Sequence, residues 1–373
     1  MTKWDKDYLE LCKRILLEGV ETENRTGVNT IKVPSHNFHF NLGEEFPILQ
    51  TKQLFFKNAI TEILWIYQAQ SNDVNWLQER GNHVWDEWKI DEDGVYRIYD
   101  PKGNDSEKEV ALKDLDGRTI GEYPTLKGAK ETKVKSIVDG KEIKEAKYYG
   151  EEFANTIGTA YGWIVKKYGL TDKLLDTIKN NPEDRRMIMS LWQNEWLKTA
   201  VLPSCVWSSE WDVTNGKLNA WVHQRSCDVP LGLPFNVTQY ATLLTLFAKC
   251  SGLEPGTLDW SIKDAHIYVN QVDGIKEQLN REDMYEYYRK LSKEQLLKVK
   301  EYLQSLPQDS KYGGVSVDAM NKILDMILEP EKPYLWVNPN IDNFYDYDNS
   351  KELKDIKVKN YKHMGKINFP IAQ

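Results

Sequence analysis

The sequence predicts an α+β fold built on one large mixed sheet packed with helices. Two observations carry this expectation. Helical and strand patterns both occur, and most strand patterns cluster after residue 185. Two charged stretches, 91–152 and 281–330, break the pattern and read as insertions into a single domain spanning 1–373.

Residues 5–18 read as a helix. Tyr8, Leu11, Cys12, Ile15 and Leu16 share a face, which makes Cys12 a core residue, and Gly19 is a C-cap. Segment 28–41 alternates like a strand. A second helix spans 57–69, with Ile60, Ile63, Leu64 and Tyr67 on one stripe and Glu62 beside it. From 91 to 152, Lys, Glu, Asp and Gly dominate and only short β-like runs such as Val134–Val138 occur, so the stretch reads as a small inserted subdomain. Order returns with Tyr161-Gly162-Trp163 and a helix near 171–180. Arg186–Trp192 reads as a buried strand. Two further strands, 206–213 and 217–225, are joined by the turn signal Thr214-Asn215-Gly216. A long buried helix follows at 238–250, with Tyr240, Leu243, Leu244 and Phe247 inward and Gly252 beyond its end. Residues 281–330 are helical and charged, and strand patterns return at 333–337 and 355–361.

The 373 residues are 40% hydrophobic and 28% charged, the balance of a soluble globular protein. A net charge of −8 argues against a protein that lives on nucleic acid, yet a few local arginines can still hold a small anion. No apolar run is long enough to span a bilayer, and the start of the chain lacks the apolar core of a signal peptide. The four cysteines show no C-x-x-C pair, so no metal site is expected and a reducing cytoplasm fits. Thirteen tryptophans are many, and some are expected to line a flat ligand.

The densest chemistry lies in Gln224-Arg225-Ser226-Cys227-Asp228-Val229-Pro230-Leu231-Gly232-Leu233-Pro234-Phe235-Asn236. Arg and Ser suit a phosphate, and an Asn amide suits a base edge, so the segment reads as a nucleotide cradle. Cys205, in Leu202-Pro203-Ser204-Cys205-Val206, is a small buried hydrophobe or a nucleophile; arginines nearby would lower its pKa. Arg25 tips the turn Asn24-Arg25-Thr26-Gly27. Arg185 and Arg186, if on a strand, face opposite ways, one toward its own subunit and one toward a neighbour. Asp264, His266 and Tyr268 share a strand face, either a plain polar face or a sugar site.

Arg25-Thr26-Gly27, Glu62-Ile63-Leu64-Trp65, Trp85-Asp86-Glu87-Trp88, Tyr161-Gly162, Arg185-Arg186, Pro203-Ser204-Cys205, Gln224 to Asn236 and His266-Ile267-Tyr268 occur in the order seen in thymidylate synthases. The chain resembles that superfamily over most of its length outside the two insertions. The resemblance implies the thymidylate-synthase fold, a homodimer, dUMP as substrate and 5,10-methylenetetrahydrofolate as cosubstrate. It makes Cys205 the thiolate that adds to C6 of the pyrimidine, turning C5 into a carbon nucleophile for the folate-borne methylene. Arg25, Arg225 and Ser226 would hold the phosphate, Arg185 and Arg186 would reach in from the second subunit, and Gln224 belongs to the same cradle. His266 and Tyr268 would hold the ribose, and Asn236 would read O4 and N3. Glu62 would order water and relay protons, and Tyr161 would assist proton removal from C5. Asp228 would meet the pterin, with Trp85, Trp88, Leu231, Gly232, Phe235 and the tail residue Ala372 around it, and Lys52 would meet the glutamate tail.

Three departures stand out. Val206 follows the cysteine where synthases carry histidine, Tyr161-Gly162 runs into Trp163-Ile164-Val165, and the sequence ends Ala372-Gln373 rather than on an apolar residue. The first two resemble the phage pyrimidine hydroxymethylases, in which water rather than hydride completes the reaction. Asn236, where cytosine enzymes carry aspartate, favours dUMP. The resulting expectation is a deoxyuridylate hydroxymethylase working in the cytoplasm of a phage-infected host. A thymidylate synthase is the alternative, and an inactive nucleotide- or RNA-binding relative a third.

Overall fold

The computed structural model describes residues 1–100, 109–120, 133–135, 137–138 and 141–371. The chain opens with α1 (Lys3–Glu18), β1 (Val20–Thr22), β2 (Thr30–Asn41), α2 (Phe56–Tyr67) and α3 (Val74–Gln78). Thr2 and Asp5 form a reciprocal capping box at the start of α1. The same Asp5 carboxylate accepts from the backbone N–H groups of Gln50 and Thr51, both at 2.9 Å, and so ties α1 to the loop carrying Lys52. Nearly all of α2 from Ala59 to Tyr67 is buried, Glu62 included.

Next come β3 (Val95–Asp100), β4 (Glu109–Lys113), β5 (Lys133–Lys135), β6 (Ile137–Val138) and β7 (Lys141–Tyr148). They build a separate five-stranded sheet with its own small core of Val95, Leu112, Ile120, Val134, Ile143 and Ala146. The chain then returns through α4 (Gly162–Tyr168), α5 (Leu170–Asn180), β8 (Ile188–Ser190), β9 (Val206–Thr214), β10 (Lys217–Gln224), β11 (Cys227–Asp228), α6 (Gly232–Cys250) and β12 (Glu254–Tyr268). The main sheet runs β1-β2-β12-β10-β9-β8, with β11 also on β12. It is mixed: β10 lies parallel to β12, and β2, β9 and β8 pair antiparallel to their neighbours. The β9–β10 turn is tight because Asn215 and Gly216 both take positive φ, 51° and 72°.

Last come α7 (Val272–Tyr288), α8 (Lys293–Gln304), the ribbon β13 (Lys311–Tyr312) and β14 (Val315–Ser316), α9 (Val317–Leu328), and the pair β15 (Tyr334–Val337) and β16 (Ile356–Lys359). Helices α8 and α9 share a small core of Leu296, Leu303, Val317, Met320 and Leu324. Helix α7 is rooted in the main body, where buried Arg281 donates to the carbonyls of Thr51 and Gly365, each at 3.0 Å. No helix among the described residues is long and apolar enough to cross a membrane.

Two expectations need correction. Only Ile188–Ser190 of the expected strand 186–192 joins the sheet. Arg185 and Arg186 stand in an exposed turn instead, where Asp184 accepts from the Arg186 backbone at 2.9 Å and pairs with its guanidinium at 2.8 Å. Local side-chain to backbone bonding of this kind competes with a strand ladder. The long helix begins at Gly232, six residues before the expected start. Pro234 lies in its first turn, where a missing N–H costs nothing, so prolines that read as loop signals are compatible with helix.

Candidate active site

Cys205 ends the loop before β9 and is partly exposed. Its loop is pinned by Arg225, which follows β10. The Arg225 guanidinium donates to Ser204 O at 3.0 Å and Pro203 O at 2.6 Å, and its backbone N–H donates to Cys205 O at 2.9 Å. One guanidinium nitrogen lies 3.8 Å from Sγ. The expected fall in thiol pKa is not what results: burial pushes the Cys205 thiol up, and the nearby charges of Arg225 and Arg25 only offset part of that.

The Cys205 backbone N–H also donates to the Tyr161 hydroxyl at 3.0 Å. Tyr161 holds φ 46° and ψ −108°, a region that non-glycine residues rarely occupy. Next to it, Gly162 lets the start of α4 come close to Ser71, where a Cβ would meet Ser71 O at 2.0 Å. Burial and the neighbouring Cys205 hold the phenol well above its usual pKa. Its ring packs against Trp85 at 5.4 Å, and Trp85 against Trp88 at 5.5 Å. The Trp85 indole donates to Glu62 Oε1 at 2.8 Å. Burial raises Glu62 to about 7, with the hydrogen bond from Trp85 and the Gln239 amide opposing.

An amide chain crosses the floor of the site. Trp260 Nε1 donates to Gln224 Oε1 at 3.0 Å, Gln224 Nε2 to Asn236 Oδ1 at 3.2 Å, and Asn236 Nδ2 to Gln239 Oε1 at 3.0 Å. Gln239 Nε2 is buried without a well-formed hydrogen bond, yet sits near enough to Glu62 to favour its carboxylate.

Asp228 ends β11, just ahead of α6. Its carboxylate accepts from Leu231 N–H at 3.0 Å and from Gln271 Nε2 at 3.1 Å, while burial raises its pKa. Gln271 Nε2 also reaches Pro370 O at 3.0 Å, and its Oε1 accepts from Tyr268 N–H at 3.1 Å. His266 and Tyr268 do share a face, with rings 5.2 Å apart. Asp264 supports His266 Nδ1 at 3.1 Å from a positive φ of 57°. Arg25 is exposed on its turn, which Asn24 closes by accepting from Thr26 N–H at 2.9 Å. It is near enough to Cys205 and Tyr268 for its charge to favour both ionised forms. Ser226, Leu231, Gly232 and Phe235 are partly exposed along the cradle.

Other expected site residues have surroundings that residue spacing did not suggest. Lys52 is buried rather than open to solvent: its ammonium bonds Pro230 O and lies 4.8 Å from the Phe369 ring centroid, and burial lowers its pKa to about 8. Arg185 and Arg186 are solvent-facing, and no described contact joins them to the cradle of their own chain. Gly232 is not forced by the protein, since a Cβ there would meet Asn236 Oδ1 at an ordinary 3.6 Å. Ala372 lies outside the described residues. Trp260, Gln239 and Gln271 were missed. Gln239 stands at i+3 from Asn236, a spacing that shows only on a helix beginning at 232; Trp260 reaches the site from β12 and Gln271 from the turn that follows it.

The sequence pattern of the thymidylate synthase family matches residues 6–306. The chain belongs to the thymidylate synthase family. A thymidylate synthase from Clostridium beijerinckii is 37% identical over 372 residues, covering all of both chains. Thymidylate synthase 1 of Bacillus subtilis is 30% identical over 382 residues, again end to end. Among solved structures, thermostable thymidylate synthase A from Bacillus subtilis aligns over the whole of both chains, with a TM-score of 0.64 at 29% identity. The chain is thus an α+β enzyme of this family, a folate-dependent one-carbon transferase. The thymidylate synthase family binds dUMP and uses methylenetetrahydrofolate as cosubstrate.

Proposed function

We propose that this enzyme methylates dUMP to dTMP, releasing dihydrofolate. The observation that carries this reading is the 37% identity, end to end, with a protein named thymidylate synthase. Such coverage runs through both charged stretches, 91–152 and 281–330. Trp163 adds little to the hydroxymethylase side, because its ring packs on Trp196 at 4.7 Å.

In this reading Cys205 Sγ forms the bond to C6, and the electron pair displaced to C5 attacks the methylene that the folate supplies. Arg25, Arg225 and Ser226 bind the phosphate, with Arg185 and Arg186 of a second subunit. His266 and Tyr268 hold the ribose and Asn236 the base edge. Glu62, near neutrality in its titration, moves protons at O4, and Tyr161 serves the C5 proton. Trp85, Trp88 and Phe235 wall the site against water, with Asp228, Leu231 and Gly232 on the pterin side. Excluding water favours hydride at the exocyclic carbon.

A second reading, hydroxymethylation, retains one specific support. Val206 is a buried apolar residue directly after the nucleophile, where synthases carry histidine. The test is to incubate the protein with dUMP and methylenetetrahydrofolate and weigh the nucleotide. A gain of CH2 with dihydrofolate is expected; a gain of CH2O with tetrahydrofolate would reverse the choice.

A further inference from the structure

We propose that Trp260 sets which way round Asn236 presents its amide, and thereby makes the pocket take uracil rather than cytosine. The inference rests on Asn236 as the base-facing group. An indole carries one N–H and cannot accept, so whatever faces it must be an oxygen. That fixes Gln224 Oε1 toward Trp260 at 3.0 Å and turns the Gln224 NH2 toward Asn236. The atom that meets this NH2 at 3.2 Å must be Oδ1, which turns the Asn236 NH2 toward Gln239 Oε1 at 3.0 Å. The chain ends on Gln239 Nε2, which is buried with no hydrogen-bond partner among the described residues.

The direction is therefore held from the Trp260 end, by a donor that cannot accept. Trp260, Gln224 and Gln239 are 0%, 3% and 2% exposed, so water cannot repair a reversed amide. Asn236 is partly exposed. One N–H and one oxygen lone pair of its amide remain for a ligand, on fixed sides. Uracil offers O4 as acceptor and N3–H as donor. Cytosine offers the opposite, a 4-amino donor and N3 as acceptor. A pocket of one polarity fits one base, and a pocket whose amide can turn fits both.

The test is equilibrium binding of dUMP and dCMP to the full chain by calorimetry. Trp260→Phe keeps a ring and removes the N–H; Trp260→His restores a ring N–H. The dUMP-over-dCMP preference is expected to fall roughly tenfold or more in Trp260→Phe, and to recover in part in Trp260→His. A purely structural role would weaken both nucleotides together and leave the ratio unchanged, and that result overturns the proposal. Should Trp260→Phe not fold, Gln224→Met cuts the same chain at its next link and decides by the same ratio. If the unaltered protein binds neither nucleotide, it is the reading of the site that fails, and the inference falls with it.

Discussion

Cys205 sits where two opposing influences act on one thiol. Burial disfavours the thiolate, and Arg225 and Arg25 favour it. Cys12, Cys227 and Cys250 are buried, so alkylation should single out Cys205. Its alkylation rate is expected to rise with pH around a midpoint above the ordinary thiol value, and replacing Arg225 by Met should move the midpoint higher; a midpoint below the ordinary value would contradict the balance described. Cys205→Ser is expected to abolish turnover while dUMP still binds, as checked by single-turnover assay and calorimetry. Glu62 carries a different cost. Its folded pKa is about 7 against 4.5 for a free carboxyl, so the folded state binds more protons between those values. Stability therefore falls as pH rises through that window, and the penalty is complete above it. Glu62→Gln is expected to raise stability at pH 8 by on the order of 2–3 kcal/mol, to lose that advantage below pH 4.5, and to lower kcat by roughly 10²–10⁴. Denaturant melts at the two pH values and steady-state kinetics check both halves.

Helices and strands position these groups through a few close approaches. The start of α4 lies so near the segment after α2 that a Cβ at Gly162 would meet three backbone atoms of Ser71 within 2.7 Å. Gly162→Ala is expected to push α4 away, draw the Tyr161 hydroxyl off the Cys205 backbone and cost about 2 kcal/mol or more of stability, with kcat falling further than binding of dUMP. Thermal melting and kinetics of the variant would show it; unaltered kcat would mean that the Tyr161 bend is not what holds the cysteine loop. The segment after β11 shows the same economy of means. The chain turns at Val229-Pro230, starts α6 at Gly232 and brings Asp228, Asn236 and Gln239 onto one helical approach.

At the level of the whole molecule, the outer face of the main sheet carries exposed Trp207, Trp221 and Ile188, at 38%, 50% and 52%. His223 lies between the two indoles, 5.7 and 5.3 Å from their rings. An aromatic sheet face of this kind suits burial against a second copy. The proposed homodimer would have twice the chain mass of 43.5 kDa, or 87 kDa, by light scattering. The exposed turn at Arg185 and Arg186 allows a sharper test. Mixing Cys205→Ser chains with chains altered to Ala at both arginines is expected to restore about a quarter of wild-type activity, because one site in each mixed dimer is then complete. No recovery on mixing would place the arginines outside the partner's site.

Much of this enzyme could be read from residue order. Apolar periodicity marked α1 and α2, because burial of one face depends on local spacing alone, and the Thr214-Asn215-Gly216 turn signal marked the β9–β10 hairpin. The cradle around Arg225 and Asn236 suggested a nucleotide from residue chemistry, and the resemblance to thymidylate synthases implied the folate and the roles of Cys205, Glu62 and Asp228. The early start of α6 was hidden, since proline and glycine signal a loop and a helix's first turn equally well. Folding alone set the thiol's net balance, the buried position of Lys52 and the amide chain from Trp260 to Gln239. Each depends on desolvation and on contacts between segments far apart in the chain, and residue spacing carries no measure of either.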